Sequence, residues 1–272
     1  MVNESDELAG RTALVTGGAR NIGLAVAKVL ASGGADVAVA DICRDLKTIP
    51  YGMSDHRTLE EAVSEISALG ARSLGITCDV RAEAQVKAAI ERVIREFGQL
   101  DILVNNAGVM SLYPIAELSE EAWDEVVDVC LKGAFFCCKQ AIPHMAERRY
   151  GKIINIASVA GHVGLGMSTH YCAAKHGVVG LTKALAKEVA ELSINVNAVC
   201  PGTVESPMLK GLASQLTLDE DVYAHFSQKH LFQDRHITAA DIARAVRWLA
   251  SDESRCITGT TINVDAGWSV GG

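Results

Sequence analysis

Much that would place this 272-residue chain outside the ordinary globular class is absent from it. No apolar run reaches the about 18 residues of a membrane-spanning helix. The opening Met1-Val2-Asn3-Glu4-Ser5-Asp6 is polar and acidic, which a secretory leader is not. There is no block of Lys and Arg and the formal charge is −8, so a nucleic-acid partner is not expected. Eight cysteines stand at 43, 78, 130, 137, 138, 172, 200 and 256 without one Cys-x-x-Cys, and Cys137-Cys138 are adjacent. That scatter suits neither a zinc site nor a disulfide framework, so reduced, mostly buried thiols and a cytoplasmic location are expected. His225 and His230 are five apart, off the helical four, and no metal is expected there. With no internal linker and no low-complexity segment, residues 1–272 are read as a single domain.

What is present is a rhythm. Arg11–Thr16 is a short β-branched run that ends at Gly17-Gly18, after which Ile22, Ala25, Val26, Val29 and Leu30 carry helical spacing. Asp36–Asp41 is a second strand-like run, so the opening is a strand, a glycine turn, a helix and a strand. The alternation continues: a helix from Thr58, with Glu61 completing a capping box, then strand 73–78, helix 83–97 and strand 100–105. A long helix from Ser119 to about Met145, strand 152–157, helix 168–192, strand 194–199, helix 239–250 and strand 260–264 follow. Seven strands alternating with helices predict an α/β fold, a doubly wound parallel sheet of Rossmann type. Two stretches break the rhythm: residues 42–57, expected as a flap on the cofactor side, and residues 203–237, expected as a substrate lid.

Gly17-Gly18-Ala19-Arg20-Asn21-Ile22-Gly23 follows a strand and opens a helix. Small residues there admit a pyrophosphate, and free amides at a helix N-terminus bind its charge. The spacing is wider than Gly-x-Gly-x-x-Gly, and a tight turn serving only helix packing remains the alternative. Asp41 closes the second strand, 18 residues after Gly23. A carboxylate there accepts from the ribose hydroxyls of NAD and repels the extra phosphate of NADP. Arg20 pulls towards a phosphate, while Ile42 supplies no second cation. Asp79-Val80 and Asn105-Asn106-Ala107-Gly108 end the third and fourth strands and are candidates for the adenine and nicotinamide-ribose sides.

Tyr171 and Lys175 form the only Tyr-x-x-x-Lys in the chain. Helical spacing puts phenol and ammonium on one face, one turn apart. A free phenol titrates near ~10, and bringing it close to neutrality requires about 3–4 kcal/mol of help from a nearby cation. Such a spacing also arises by chance among five tyrosines, so its company matters.

Thr16-Gly17-x-x-x-x-x-Gly23, Asp79-Val80, Asn105-Asn106-Ala107-Gly108, Ser158, Tyr171-x-x-x-Lys175 and Pro201-Gly202, in this order, resemble the short-chain dehydrogenase/reductase family over nearly the whole chain. The resemblance implies that Tyr171 exchanges a proton with the substrate oxygen, which Ser158 holds, and that Lys175 holds the nicotinamide ribose and lowers the tyrosine pKa. It implies direct hydride transfer without a metal, Thr203 and Val204 near the carboxamide, and a homotetramer built through the long middle helices and the last strand. Trp268, near the chain end, is then read at a subunit contact. Two positions depart from the family: Asn21 replaces a glycine, and Cys130 replaces an asparagine that helps hold a water beside the lysine. A thiol is a weak donor and acceptor, so the proton relay past Cys130 must differ. Asp41-Ile42-Cys43, Tyr51 and His170–Gly177 are also similar to the carveol-dehydrogenase-like branch, including members associated with mycofactocin, where the flap covers the cofactor.

Together these readings predict NAD-dependent hydride transfer with a small, fairly apolar secondary alcohol or ketone, cyclic and terpenoid skeletons included. A 3-oxoacyl reductase is the first alternative; Asp41 counts against it, because reductive biosynthesis usually draws on NADPH. A dinucleotide-binding protein without turnover is the second.

Overall fold

The computed structural model describes residues 7–217 and 222–270; the acidic start Met1–Asp6 and residues 218–221 of the expected lid lie outside them. Among the described residues there are seven strands, β1 (Thr12–Thr16), β2 (Asp36–Asp41), β3 (Ser73–Thr77), β4 (Ile102–Asn105), β5 (Gly151–Ile156), β6 (Ile194–Pro201) and β7 (Thr261–Val264). They form one parallel sheet in the order β3-β2-β1-β4-β5-β6-β7. The helices are α1 (Asn21–Ser32), α2 (His56–Ser67), α3 (Glu83–Phe97), α4 (Glu120–Val127), α5 (Gly133–Arg148), α6 (Thr169–Val189), α7 (Pro207–Gln215), α8 (Val222–Ser227) and α9 (Ala239–Ala250).

The strands are apolar on both faces because both faces are covered. Along β1, Ala13 and Val15 join one cluster with Val26 and Leu30 of α1 and Ile242 and Val246 of α9, while Leu14 joins the other with α3, α5 and α6. This period-two partition between two helical layers fixes the register: a one-residue slip would exchange the layers. The strand order turns back between β1 and β4, and the crevice beyond their carboxyl ends is where such sheets bind ligands.

Two local features depart from expectation. The second helix begins at His56, and its cap is Asp55, whose carboxylate accepts from the Thr58 N–H at 2.8 Å. Thr58 lies inside the first turn, because the carboxylate three residues earlier is the better acceptor for its amide. The irregular stretch therefore ends at Asp55, two residues earlier than expected. The long fourth helix is interrupted by a π turn over Asp128–Lys132, which separates α4 from α5 and carries Cys130. Among the described residues no helix is long and apolar enough to cross a membrane.

Candidate active site

The glycine turn after β1 is built by close approach of backbone to backbone. Gly17 has φ +61°, and a Cβ on it would stand 2.9 Å from the Ala107 Cα. A Cβ on Gly23 would stand 2.1 Å from the Gly17 carbonyl oxygen. The Asn106 amide donates to the carbonyls of Thr16 and Gly17 at 3.0 and 2.9 Å, and the Thr16 hydroxyl accepts from the Asn106 and Ala107 N–H groups, both at 3.1 Å. The turns after β1 and β4 are thus one unit, lined by main chain. Asn21 adopts φ +48° and keeps the turn by bonding the Ile22 N–H at 2.8 Å and donating to the Glu205 carbonyl at 2.8 Å.

Asp41 is buried at the end of β2 and accepts from the Ala19 N–H at 3.2 Å. Burial pushes its carboxyl above the ordinary range, against the pull of the Ala19 amide and of Arg20. Arg20 itself donates to the Gly52 carbonyl at 2.8 Å, so its charge is directed onto the segment after β2. These groups fit a dinucleotide: an anion-binding helix start without side chains, and one buried carboxylate at the ribose end.

Tyr171 and Lys175 lie one turn apart on α6, both buried, with the Lys175 Nζ 5.5 Å from the phenol ring centroid. Lys175 donates to the Ile156 carbonyl at 2.8 Å, which aims its ammonium at the end of β5. Ser158 follows that strand; its Oγ accepts from the Ala160 N–H at 3.1 Å, so it does cap the short 3-10 turn Val159–Gly161. A hydroxyl that accepts there keeps its proton for another partner. Burial pushes the Tyr171 phenol well above its ordinary pKa, partly opposed by the Ser158 hydroxyl, and burial pulls Lys175 down. The lysine was expected to bring the phenol down; in this apolar surrounding desolvation is the larger effect.

One cavity of about 570 Å³ brings together Gly17, Arg20, Asn21, Ile22, Gly23, Asp41, Asn106, Ala107, Gly108, Ser158, Tyr171, Lys175, Pro201, Gly202, Thr203 and Val204. Three expected residues lie off it: Ile42, Asp79 and Val80. The Asp79 carboxylate is engaged by Arg81 and Arg44, each at 2.8 Å, and despite its burial these guanidiniums hold it below the usual carboxylate range. Thr203 and Val204 are fixed from the lid side. The Thr203 N–H donates to the buried His230 Nε2 at 3.2 Å, its hydroxyl donates to the Phe226 carbonyl at 2.8 Å, and Val204 bridges to Ile237.

The remaining wall is mostly apolar, interrupted by Ser54, Ser168, Ser206, His225, Gln228 and Lys229, and the sequence pattern does not single these apolar residues out. Met110 and Leu112 follow β4, Leu165 and Met167 precede α6, and Leu212 and Leu216 come from the lid segment. They sit in irregular loops or on short helices, where no periodicity marks them; the one available signal was position, since 159–168 must run between Ser158 and Tyr171. Tyr51, from the stretch after β2, also lines the cavity, as does Trp268 near the chain end.

The thiol of Cys130 does not float in the core. It accepts from the Val109 N–H at 3.4 Å and donates to the Val109 carbonyl at 3.3 Å, and so holds the strand end that carries Asn106–Gly108.

Comparison with known proteins agrees with this geometry. The sequence profile of the family described as Enoyl-(Acyl carrier protein) reductase matches residues 17–269. The chain is 41% identical, over 94% of its length and 97% of the relative's, to the 3-oxoacyl-(acyl-carrier-protein) reductase FabG of Staphylococcus aureus. Its structure is similar to that of carveol dehydrogenase from Mycobacterium avium in complex with NAD, with TM-score 0.93, 33% identity and coverage of 97% and 99% of the two chains. A short chain dehydrogenase from Mycobacterium paratuberculosis bound to NAD gives TM-score 0.89 at 33% identity, over 97% and 99%.

Proposed function

As the chain belongs to the short-chain dehydrogenase/reductase family, we propose that it is an NAD-dependent oxidoreductase that interconverts a small, fairly apolar secondary alcohol and its ketone, cyclic or terpenoid skeletons included. The observation that carries the reading is the meeting of Ser158, Tyr171 and Lys175 with an apolar wall in the cavity that also holds Asp41 and the glycine turn. When bound, the nicotinamide supplies direct hydride transfer to or from the substrate carbon. Ser158 donates to the substrate oxygen and stabilises the charge that develops on it. Tyr171 exchanges a proton with that oxygen, as acid in reduction and as base in oxidation. Lys175 holds the ribose hydroxyls and supports the phenolate. Gly17, Arg20, Asn21, Ile22, Gly23, Asn106, Ala107 and Gly108 cradle the dinucleotide, and Pro201–Val204 orient the carboxamide. Residues 42–55 act as the cofactor-side flap and 203–237 as the substrate lid, in a single domain that assembles as a homotetramer.

Support for NAD over NADP comes from Asp41: a buried carboxylate facing a 2′-phosphate would set two anions together in a poorly solvated place. The two NAD-bound neighbours lend weight to the same choice. A second reading, reduction of a 3-oxoacyl thioester, is favoured by the 41% identity to the staphylococcal reductase. A screen of cyclic and linear secondary alcohols, ketones and one 3-oxoacyl thioester, each with NAD(H) and NADP(H), separates them by absorbance of the reduced cofactor. Faster turnover of apolar cyclic alcohols with NAD is expected; faster turnover of the thioester, or equal use of NADP, would replace the reading.

A further inference from the structure

The residues given roles above leave out Tyr51, although its ring stands in the same cavity. The segment that carries it, between β2 and α2, has no regular structure yet is fastened along its length. Arg44 reaches Asp79 at 2.8 Å, the Thr48 N–H donates to Glu125 at 2.8 Å, the Met53 N–H donates to Asp45 at 2.7 Å, and Arg20 donates to the Gly52 carbonyl at 2.8 Å. Leu46 and Ile49 are buried in the cluster that also contains Leu212 of α7 and Tyr171. These bonds fix where the segment sets its side chains.

The phenol it places has a partner on each side. Its oxygen accepts from the Met110 N–H at 3.1 Å, on the loop after β4. On the other side lies α7: a Cβ at Gly211 would stand 2.6 Å from both the Cβ and the Cδ1 of Tyr51. Nothing larger than hydrogen fits between helix backbone and ring. Gly211 sits in the interior of α7, where glycine is less favourable than alanine. A helix-weakening residue is therefore found at the point where the ring requires it.

We infer that Tyr51 is a positioning residue on which the substrate-side helix α7 seats, through Gly211, so that α7 closes over a substrate only while the cofactor-side flap is in place. The inference rests on the proposed division of the cavity between cofactor and substrate. It makes the two ligands reciprocal: a flap loosened at Tyr51 weakens the lid, and a displaced lid frees the flap. It also makes the ring one limit on substrate size, set by the flap and not by the lid alone.

The test is a double-mutant cycle with two readouts on the full-length protein. The variants are Gly211→Ala, Tyr51→Ala and the pair together. The rates measured are limited proteolysis within 203–237, without any ligand, and NADH release followed by protein fluorescence. Gly211→Ala is expected to speed both by about tenfold or more, and Tyr51→Ala in the same chain to remove most of that increment, because the clash disappears with the ring. An increment from Gly211→Ala that is the same with and without the Tyr51 ring would overturn the inference. Proteolysis needs neither cofactor nor substrate, so a protein that fails to bind NADH refutes the proposed function while the cycle still decides the role of Tyr51. Should Gly211→Ala not fold, Tyr51→Phe removes only the oxygen at Met110; faster cleavage of the lid is expected, and an unchanged rate counts against the seat.

Discussion

The half of the cleft assigned to the cofactor is mostly backbone, and the half assigned to the substrate is mostly side chain. Around Gly17 and Gly23, carbonyls, amides and glycines meet at distances that leave no room for a Cβ, and the Asn106 amide holds them to the end of β4. Around Met110, Leu165 and Leu212 the surface is made by flexible apolar groups on loops and short helices. The first half tolerates little change because moving it moves the sheet. The second can be repacked residue by residue, which is how one fold accepts many substrates. Tyr171 stands at the seam.

The largest effect is expected at the seam. Tyr171→Phe removes the proton carrier and leaves the ring, so kcat should fall by about 10² to 10⁴ while NADH binding, read by fluorescence titration, stays as it was. Substantial residual turnover would take Tyr171 out of its assigned role. The direction of its pKa adds a second expectation. Burial holds the phenol protonated through neutral pH, the form that ketone reduction consumes. Reduction should hold its rate through neutrality and fall as the phenol ionises in the alkaline range, whereas alcohol oxidation, which needs the phenolate, should climb over that same range.

Gly23→Ala tests the backbone half. Its Cβ would stand 2.1 Å from the Gly17 carbonyl, so the turn must open. Overpacking of this kind costs about 1–3 kcal/mol, a loss of roughly fivefold to 150-fold in NADH affinity if the strain falls on the bound turn. Met208→Ala, on α7 and in the wall of the same cavity, is the matching change in the other half; it should raise the KM of an apolar alcohol by a factor of a few and leave NADH affinity alone. Equal losses of cofactor affinity in both would erase the distinction between the halves. A smaller change, Asp41→Asn, keeps an acceptor for the Ala19 N–H but removes the charge, and discrimination against NADP should weaken by about tenfold.

The same contrast explains what could be read from the chain. Strand–turn–helix alternation, β2 at Asp36–Asp41 and α3 at Glu83–Phe97 follow from short-range pattern, and the sheet follows from their sequence. Tyr171 and Lys175 share a helical face by simple spacing. Asp79 lies off the cavity and is paired with Arg44 and Arg81, which come from a loop and from the start of the next connection; a one-dimensional pattern does not show which cation a carboxylate will meet. The cap at Asp55 was missed for a local reason: Thr58 and Glu61 also satisfy a capping pattern, and only the chain's exit from the flap decides between them. Leu112 and Leu212 carry no sequence signal of this kind, because they meet only where two segments far apart in the chain close on one cavity.

Cys130 provides the finest test, since it stands behind the seam. Its position in the family pattern implies a proton relay that runs differently, and its thiol is occupied in holding both main-chain groups of Val109. If that clasp is its work, Cys130→Ala leaves a buried N–H and carbonyl without side-chain partners. Such a loss is worth about 1–3 kcal/mol and should appear as a lower Tm. Cys130→Asn can donate and accept at the same place, so it should keep more of the Tm than alanine does and change kcat by no more than a few fold, with the same pH profile. A large gain in kcat with a displaced pH profile on Cys130→Asn would instead return the relay to the centre, and would mean that the thiol limits the rate at which the Tyr171 proton is exchanged.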